Sequence, residues 1–174
     1  MEFDYVVVGA GSAGCAVANR LSQCGNYRVA LIEAGPSDNS PWIHVPVGYY
    51  RTMGNPKSDW CYETQSDKGI ADRSIPWPRG RVMGGSSSIN GLLYVRGQPR
   101  DFDIWSQLGC NGWSWDEVLP YFKRSENWDG IDETGLRGKD GPLSVQSSRL
   151  KRDIVDQWVD AAVTAGYQRN YDYN

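Results

Sequence analysis

The sequence is short of the residues on which much metal and nucleophile chemistry depends. It has one histidine, His44, in 174 residues. A lone histidine in a loop rich in proline and tryptophan reads as a structural residue. The four cysteines, Cys15, Cys24, Cys61 and Cys110, form no C-x-x-C pair and have no histidine nearby, so the spacing of a zinc site is absent. Unpaired cysteines in such small number suit a reduced, cytoplasmic protein. Positive charge is not in excess: the net charge is −3 and the pI near 5.1. That leaves no electrostatic footprint for nucleic acid or anionic membranes. No apolar run approaches the length of a membrane span. The first strand begins so close to Met1 that no signal peptide is expected before it.

What is present is a globular composition, 40% hydrophobic and rich in aromatics, with eight Trp and ten Tyr. The length fits one domain, or one domain and the start of another, and buries a substantial core. The N-terminal stretch organises the rest. Tyr5-Val6-Val7-Val8 is an unbroken β-branched run, the pattern of a strand buried on both faces of a parallel sheet. Gly9, Gly11 and Gly14 follow in G-x-G-x-x-G spacing. Gly14, Val17, Ala18 and Leu21 then share one face of a helix. A second strand, Val29 to Ile32, delivers Glu33 about 20 residues past the glycines.

Each part has a mechanical reason. Gly9 makes a turn that side chains would obstruct, Gly11 lets the backbone approach a pyrophosphate, and Gly14 lets the helix pack on the strand. The helix amides face the phosphates, and Glu33 can accept hydrogen bonds from an adenosine ribose. The glycines alone would also suit a turn in an unrelated α/β fold; strand, helix, second strand and acid together predict a dinucleotide site. The unit leaves FAD and NAD both open.

From Ala34 to about Pro78 the chain is irregular and carries six prolines among many aromatics. A loop this long in a compact domain wraps something or covers the sheet. Asp59 to Thr64 is the plausible strand inside it. Next, Gly84-Gly85-Ser86-Ser87-Ser88 makes a backbone concavity with N–H groups and hydroxyls suited to a polar, anionic or flavin-like ligand. The apolar, β-rich run Leu92 to Val95 argues that this tract is ordered rather than a linker.

The tract from Gly80 to Asp103 resembles the first signature of the glucose–methanol–choline (GMC) family of flavin oxidoreductases. The GAGSAG unit and the later WSWDEVLPYF segment resemble the same family, so nearly the whole chain is covered. Met83 departs from the usual Leu, Ile, Val or Trp, a near-isosteric change. The resemblance implies an α/β fold: a Rossmann-like FAD-binding βαβ unit with long wrapping loops, the N-terminal part of a two-domain GMC fold. Residues 1–35 would be the βαβ unit and 76–103 the flavin-contacting signature. Residues from about 142 to 174 would start the substrate domain.

By the same resemblance the ADP half of FAD lies on Gly9, Gly11, Ser12, Ala13, Gly14, Glu33 and Ala34. The flavin end lies against Val82, Gly85, Ser86, Asn90, Gly91 and Leu93. Some relatives attach the flavin through a histidine in the serine tract; Ile89 stands there, so FAD is expected to be held non-covalently. The family's base is a histidine near the C-terminus, and no residue of this chain matches it, so no catalytic residue is assigned. The implied activity is oxidation of an alcohol CH–OH group, with the carbon-bound hydrogen leaving as hydride to the flavin. The words around the serine tract lean toward the choline and aliphatic-alcohol dehydrogenase branch. The expected partners are a small-molecule alcohol and the C-terminal remainder of the enzyme. Alternatives are a lyase or photodecarboxylase on the same scaffold, or a non-catalytic flavin-binding module that needs a partner chain.

The remaining segments read as scaffold. Pro99 opens a helix with Phe102, Trp105 and Leu108 on one face and Gly109 as its stop. Ser114-Trp115-Asp116-Glu117 is a capping box opening a second helix, which Pro120 is expected to break or kink. Lys139 to Pro142 reads as a turn before a brief strand, Leu143 to Val145. Leu150, Ile154, Trp158, Ala161, Ala162 and Ala165 form an apolar stripe expected in the core, ended by Gly166.

Overall fold

A computed structural model describes residues 1–149 and 151–174. The chain separates into two compact units, Met1–Leu93 and Tyr94–Asn174. In the first unit, β1 (Tyr5–Val8) pairs in parallel with β2 (Val29–Ile32), Tyr5 opposite Val29 and Val8 opposite Ile32. The helix α1 (Ser12–Ser22) makes the crossover and buries Ala18. Strand, helix and strand thus fall where the hydrophobic pattern places them.

The expectation that β1 is buried on both faces does not hold. Val6 is 56% exposed and Val8 82%. A two-stranded parallel sheet has two open edges, and one helix covers only part of one face. The continuous Val run therefore stands as an uncovered apolar surface.

The long segment after β2 is ordered in short pieces. These are α2 (Pro41–His44), a 3₁₀ turn over Pro46–Gly48, α3 (Tyr49–Thr52), and an antiparallel pair of β3 (Tyr62–Glu63) with β4 (Pro76–Trp77). Asp59 anchors this excursion. It is buried, and its carboxylate accepts from the backbone N–H groups of Gly54 (2.7 Å), Cys61 (2.9 Å) and Arg79 (2.9 Å). Burial pushes its pKa up, but those N–H donors and the charge of Arg79 outweigh it, so the group lies below its ordinary value.

In the second unit, α4 (Pro99–Gln107) and α5 (Trp115–Ser125) each carry a capping box, from Gln98 with Asp101 and from Ser114 with Glu117. The helix α5 continues through Pro120 to Ser125 instead of ending there. Phe102 is buried among Trp105, Trp115 and Phe122, with ring centroids 5.5–5.7 Å away. β5 (Glu126–Trp128) and β6 (Leu143–Val145) pair in parallel. Leu92 to Val95 forms no strand, and Leu92 has a positive φ of 61°.

The apolar stripe expected in the core lies on α6 (Asp153–Thr164), where no side chain is buried and Trp158 is 74% exposed. Leu150 lies outside the described residues. Among the described residues, no helix is long and apolar enough to cross a membrane.

A charge network holds this unit together. Glu126 is fully buried and accepts from Arg96 (2.5 Å), Arg137 (2.7 Å) and the Gly138 N–H (2.9 Å). Arg137 also makes a two-pronged pair with Asp172, at 2.8 and 2.5 Å. That hydrogen bonding holds the Asp172 pKa below its ordinary value, against a smaller push from burial.

The depressed carboxyls of Asp59 and Asp172 have a common consequence. An aspartate in the unfolded chain titrates at about 3.9, above the folded values of Asp59 and Asp172. The unfolded chain therefore takes up the proton first. Their contribution is present above about pH 4 and is lost as pH falls through the folded values. Thermal melts are expected to fall steeply below about pH 4, and less steeply in Asp59→Asn, whose melting temperature is already lowered at neutral pH. A wild-type acid limb superimposable on that of Asp59→Asn would exclude this assignment.

Candidate functional site

The first unit brings the predicted residues together around the end of β1. Gly9 turns the chain with φ +92°, a backbone region that L side chains rarely adopt, and donates its N–H to the Ile32 carbonyl at 2.7 Å. A Cβ at Gly14 would lie 1.9 Å from the Gly9 carbonyl oxygen, so only glycine lets α1 start this close to the turn. Gly11 differs. A Cβ there would meet no atom within 4 Å, so its backbone faces open space at the helix N-terminus. No acidic side chain sits in the first turn of α1, and Ser12 and Ala13 are exposed. A helix start with free space before it and no competing anion suits a phosphate group.

Glu33 stands beside this turn, partly exposed, with Ala34 exposed after it. Its Oε2 accepts from the Ala10 N–H at 2.8 Å and its Oε1 from the Gly35 N–H at 2.9 Å. Each carboxylate oxygen keeps a second lone pair, so the bonds leave room to accept from a ligand hydroxyl.

The serine tract docks directly on the turn. Gly84 pairs with Gly11 in a parallel bridge, and its N–H donates to the Ala10 carbonyl at 2.8 Å. Gly85, with φ +57°, would place a Cβ 2.8 Å from the Gly11 Cα, and Gly80 would place one 2.1 Å from the Gly85 carbonyl oxygen. Backbone thus lies on backbone at both contacts.

The hydroxyls are largely committed to this shape. Ser87 Oγ donates to the Gly84 carbonyl (2.6 Å) and Ser88 Oγ to the Met83 carbonyl (2.7 Å). They build the loop rather than standing free as donors, which differs from the sequence expectation. Ser86 Oγ accepts from the Gly80 N–H at 3.1 Å, a bond that does not use its own proton. Val82, Gly85 and Ile89 are buried, whereas Ser86, Asn90, Gly91 and Leu93 are exposed. A Cβ on Gly91 would meet no atom within 4 Å, so open space faces the tract here too.

Three residues that sequence reasoning missed complete the site. Asp59 holds the Arg79 N–H and pairs in an antiparallel bridge with Gly80, and so fixes the entry to the tract. Gly35 and Gly80 admit close approaches of backbone to backbone. Nothing in local periodicity marks them, because their partners lie 5 to 47 residues away in the chain. His44 is exposed at the end of α2, its Nε2 2.7 Å from the Asp38 carbonyl. Among the described residues no cluster could hold a metal ion.

Residues 3–174 match the family model described as GMC oxidoreductase. The chain belongs to the GMC oxidoreductase family. It is 46% identical, over 99% of its length, to an oxygen-dependent choline dehydrogenase of Vibrio vulnificus strain YJ016, and it covers 31% of that protein. A crystal structure of pyridoxine 4-oxidase from Mesorbium loti matches 99% of the chain with a TM-score of 0.92 and 36% identity; the chain covers 34% of it. An FAD-dependent oxidoreductase from Chaetomium thermophilum matches 95% of the chain with a TM-score of 0.81 and 27% identity; the chain covers 30% of it. The chain therefore spans about a third of the length of the relatives it matches. These overlaps establish the N-terminal portion of the GMC fold, with its Rossmann-like βαβ unit.

Proposed function

We propose that this chain is the FAD-binding N-terminal portion of an oxidoreductase that acts on alcohol CH–OH groups. The observation that carries the proposal is the docking of Gly84 and Gly85 on Ala10 and Gly11, which joins two motifs about 70 residues apart into one surface. The dinucleotide turn would hold the ADP half through Gly9, Gly11, Ser12, Ala13, Gly14, Glu33 and Ala34. The exposed tract residues Ser86, Asn90, Gly91 and Leu93 would face the flavin end, backed by Val82 and Gly85. The open space before Gly11 and Gly91 supports this fit.

When bound, FAD supplies the hydride acceptor for alcohol oxidation. In this reading the chain's own residues bind and orient the cofactor, and the base and substrate contacts would come from further sequence, since the chain covers about a third of the relatives it matches. The similarity to a choline dehydrogenase favours small polar alcohols, and four unpaired cysteines suit a reduced, cytoplasmic setting.

Anaerobic mixing of the full-length protein with a panel of alcohols that includes choline tests the activity. Bleaching of the oxidised flavin band is expected, and an oxidised spectrum that persists with every alcohol would overturn the reading. Ile89 offers no nucleophile and is buried, so acid precipitation is expected to leave the flavin in the supernatant. Yellow colour retained in the pellet would refute non-covalent binding.

A further inference from the structure

The Glu33 carboxylate is bound to backbone on both sides, and each partner leads to the serine tract. Its Oε2 holds the N–H of Ala10, a fully buried residue whose carbonyl accepts the Gly84 N–H at 2.8 Å. Its Oε1 holds the N–H of Gly35, whose α-carbon lies so close to the tract that a Cβ would sit 2.1 Å from the Arg81 carbonyl oxygen. The next carbonyl, that of Pro36, accepts the Met83 N–H at 2.9 Å. Both peptide segments gripped by Glu33 are therefore the ones on which residues 81–85 rest.

We propose that Glu33 is a positioning residue for the flavin end of the cofactor, as well as a ribose acceptor. Its two backbone bonds keep the dinucleotide turn and the serine tract in register. This rests on the FAD reading above. Only a carboxylate does this, because both of its oxygens accept. A glutamine presents one oxygen and one NH₂, so either the Ala10 or the Gly35 N–H would face another donor.

The test compares wild type with Glu33→Gln in the full-length protein at saturating FAD, where weaker ribose binding no longer matters. Positioning predicts an altered visible circular dichroism of the flavin and a kcat lower by at least about tenfold. A wild-type dichroism spectrum and kcat in FAD-saturated Glu33→Gln would overturn the proposal. Native-state amide exchange on the cofactor-free wild type provides a second readout if the variant does not fold. The amides of Ala10, Gly35, Met83 and Gly84 are expected to exchange as one cooperative unit, and independent exchange of the Met83 and Gly84 amides would overturn the coupling. Absence of FAD binding by wild type would instead refute the FAD reading, which the exchange experiment does not require.

Discussion

Gly35→Ala is expected to lower stability by about 3 kcal/mol and to abolish measurable FAD binding, as read by urea unfolding and flavin fluorescence titration. An added Cβ would lie 2.1 Å from the Arg81 carbonyl oxygen, 2.2 Å from its carbon and 2.3 Å from the Val82 nitrogen. All three are backbone atoms, so no side-chain rotation relieves the clash. Either the segment after β2 or the tract before Gly84 must move, and both carry bonds that seat the tract. Gly11→Ala is the control. Its Cβ meets no atom within 4 Å and its φ of −77° suits alanine. Stability there is expected to stay within about 0.5 kcal/mol of wild type, with loss confined to cofactor affinity. A wild-type unfolding midpoint in Gly35→Ala would show that the close approach is not a constraint.

This contrast marks how much of the site is legible in the sequence. Local patterns carry β1, α1 and β2, the turn at Gly9, the close packing at Gly14 and the capping box at Ser114, because each depends on neighbours within a few residues. The docking of the tract depends on Gly35, Asp59 and Gly80 meeting distant backbone, and no periodicity encodes that. Composition makes the serine hydroxyls free donors, yet Ser87 and Ser88 close their own loop. Periodicity assigns the apolar faces of β1 and α6 to a core that these two units do not supply. It says that a face is apolar, and says nothing of what covers it.

The second unit contains the other large effect. Glu126→Gln is expected to cost about 3–5 kcal/mol, because two arginine side chains then remain buried with one carboxylate fewer. Arg96 is 2% exposed and Arg137 4%, so water does not compensate them. Arg96 would keep the Leu136 carbonyl at 2.6 Å, and Arg137 would keep Asp172, but the Arg96 guanidinium would lose its ionic partner. Nothing in the stretch KRSENW hints at this, since a glutamate at a helix end is ordinarily solvated. Asp172 is 28% exposed, and Asp172→Asn is expected to cost distinctly less, because water can reach that end of the network. Urea unfolding followed by tryptophan fluorescence measures both, with the Trp128 ring centroid 4.6 Å from the Arg137 guanidinium as a local reporter. A loss under about 1 kcal/mol in Glu126→Gln would mean that the two arginines find other partners, and that the network is not what holds β5 and β6 to the end of the chain.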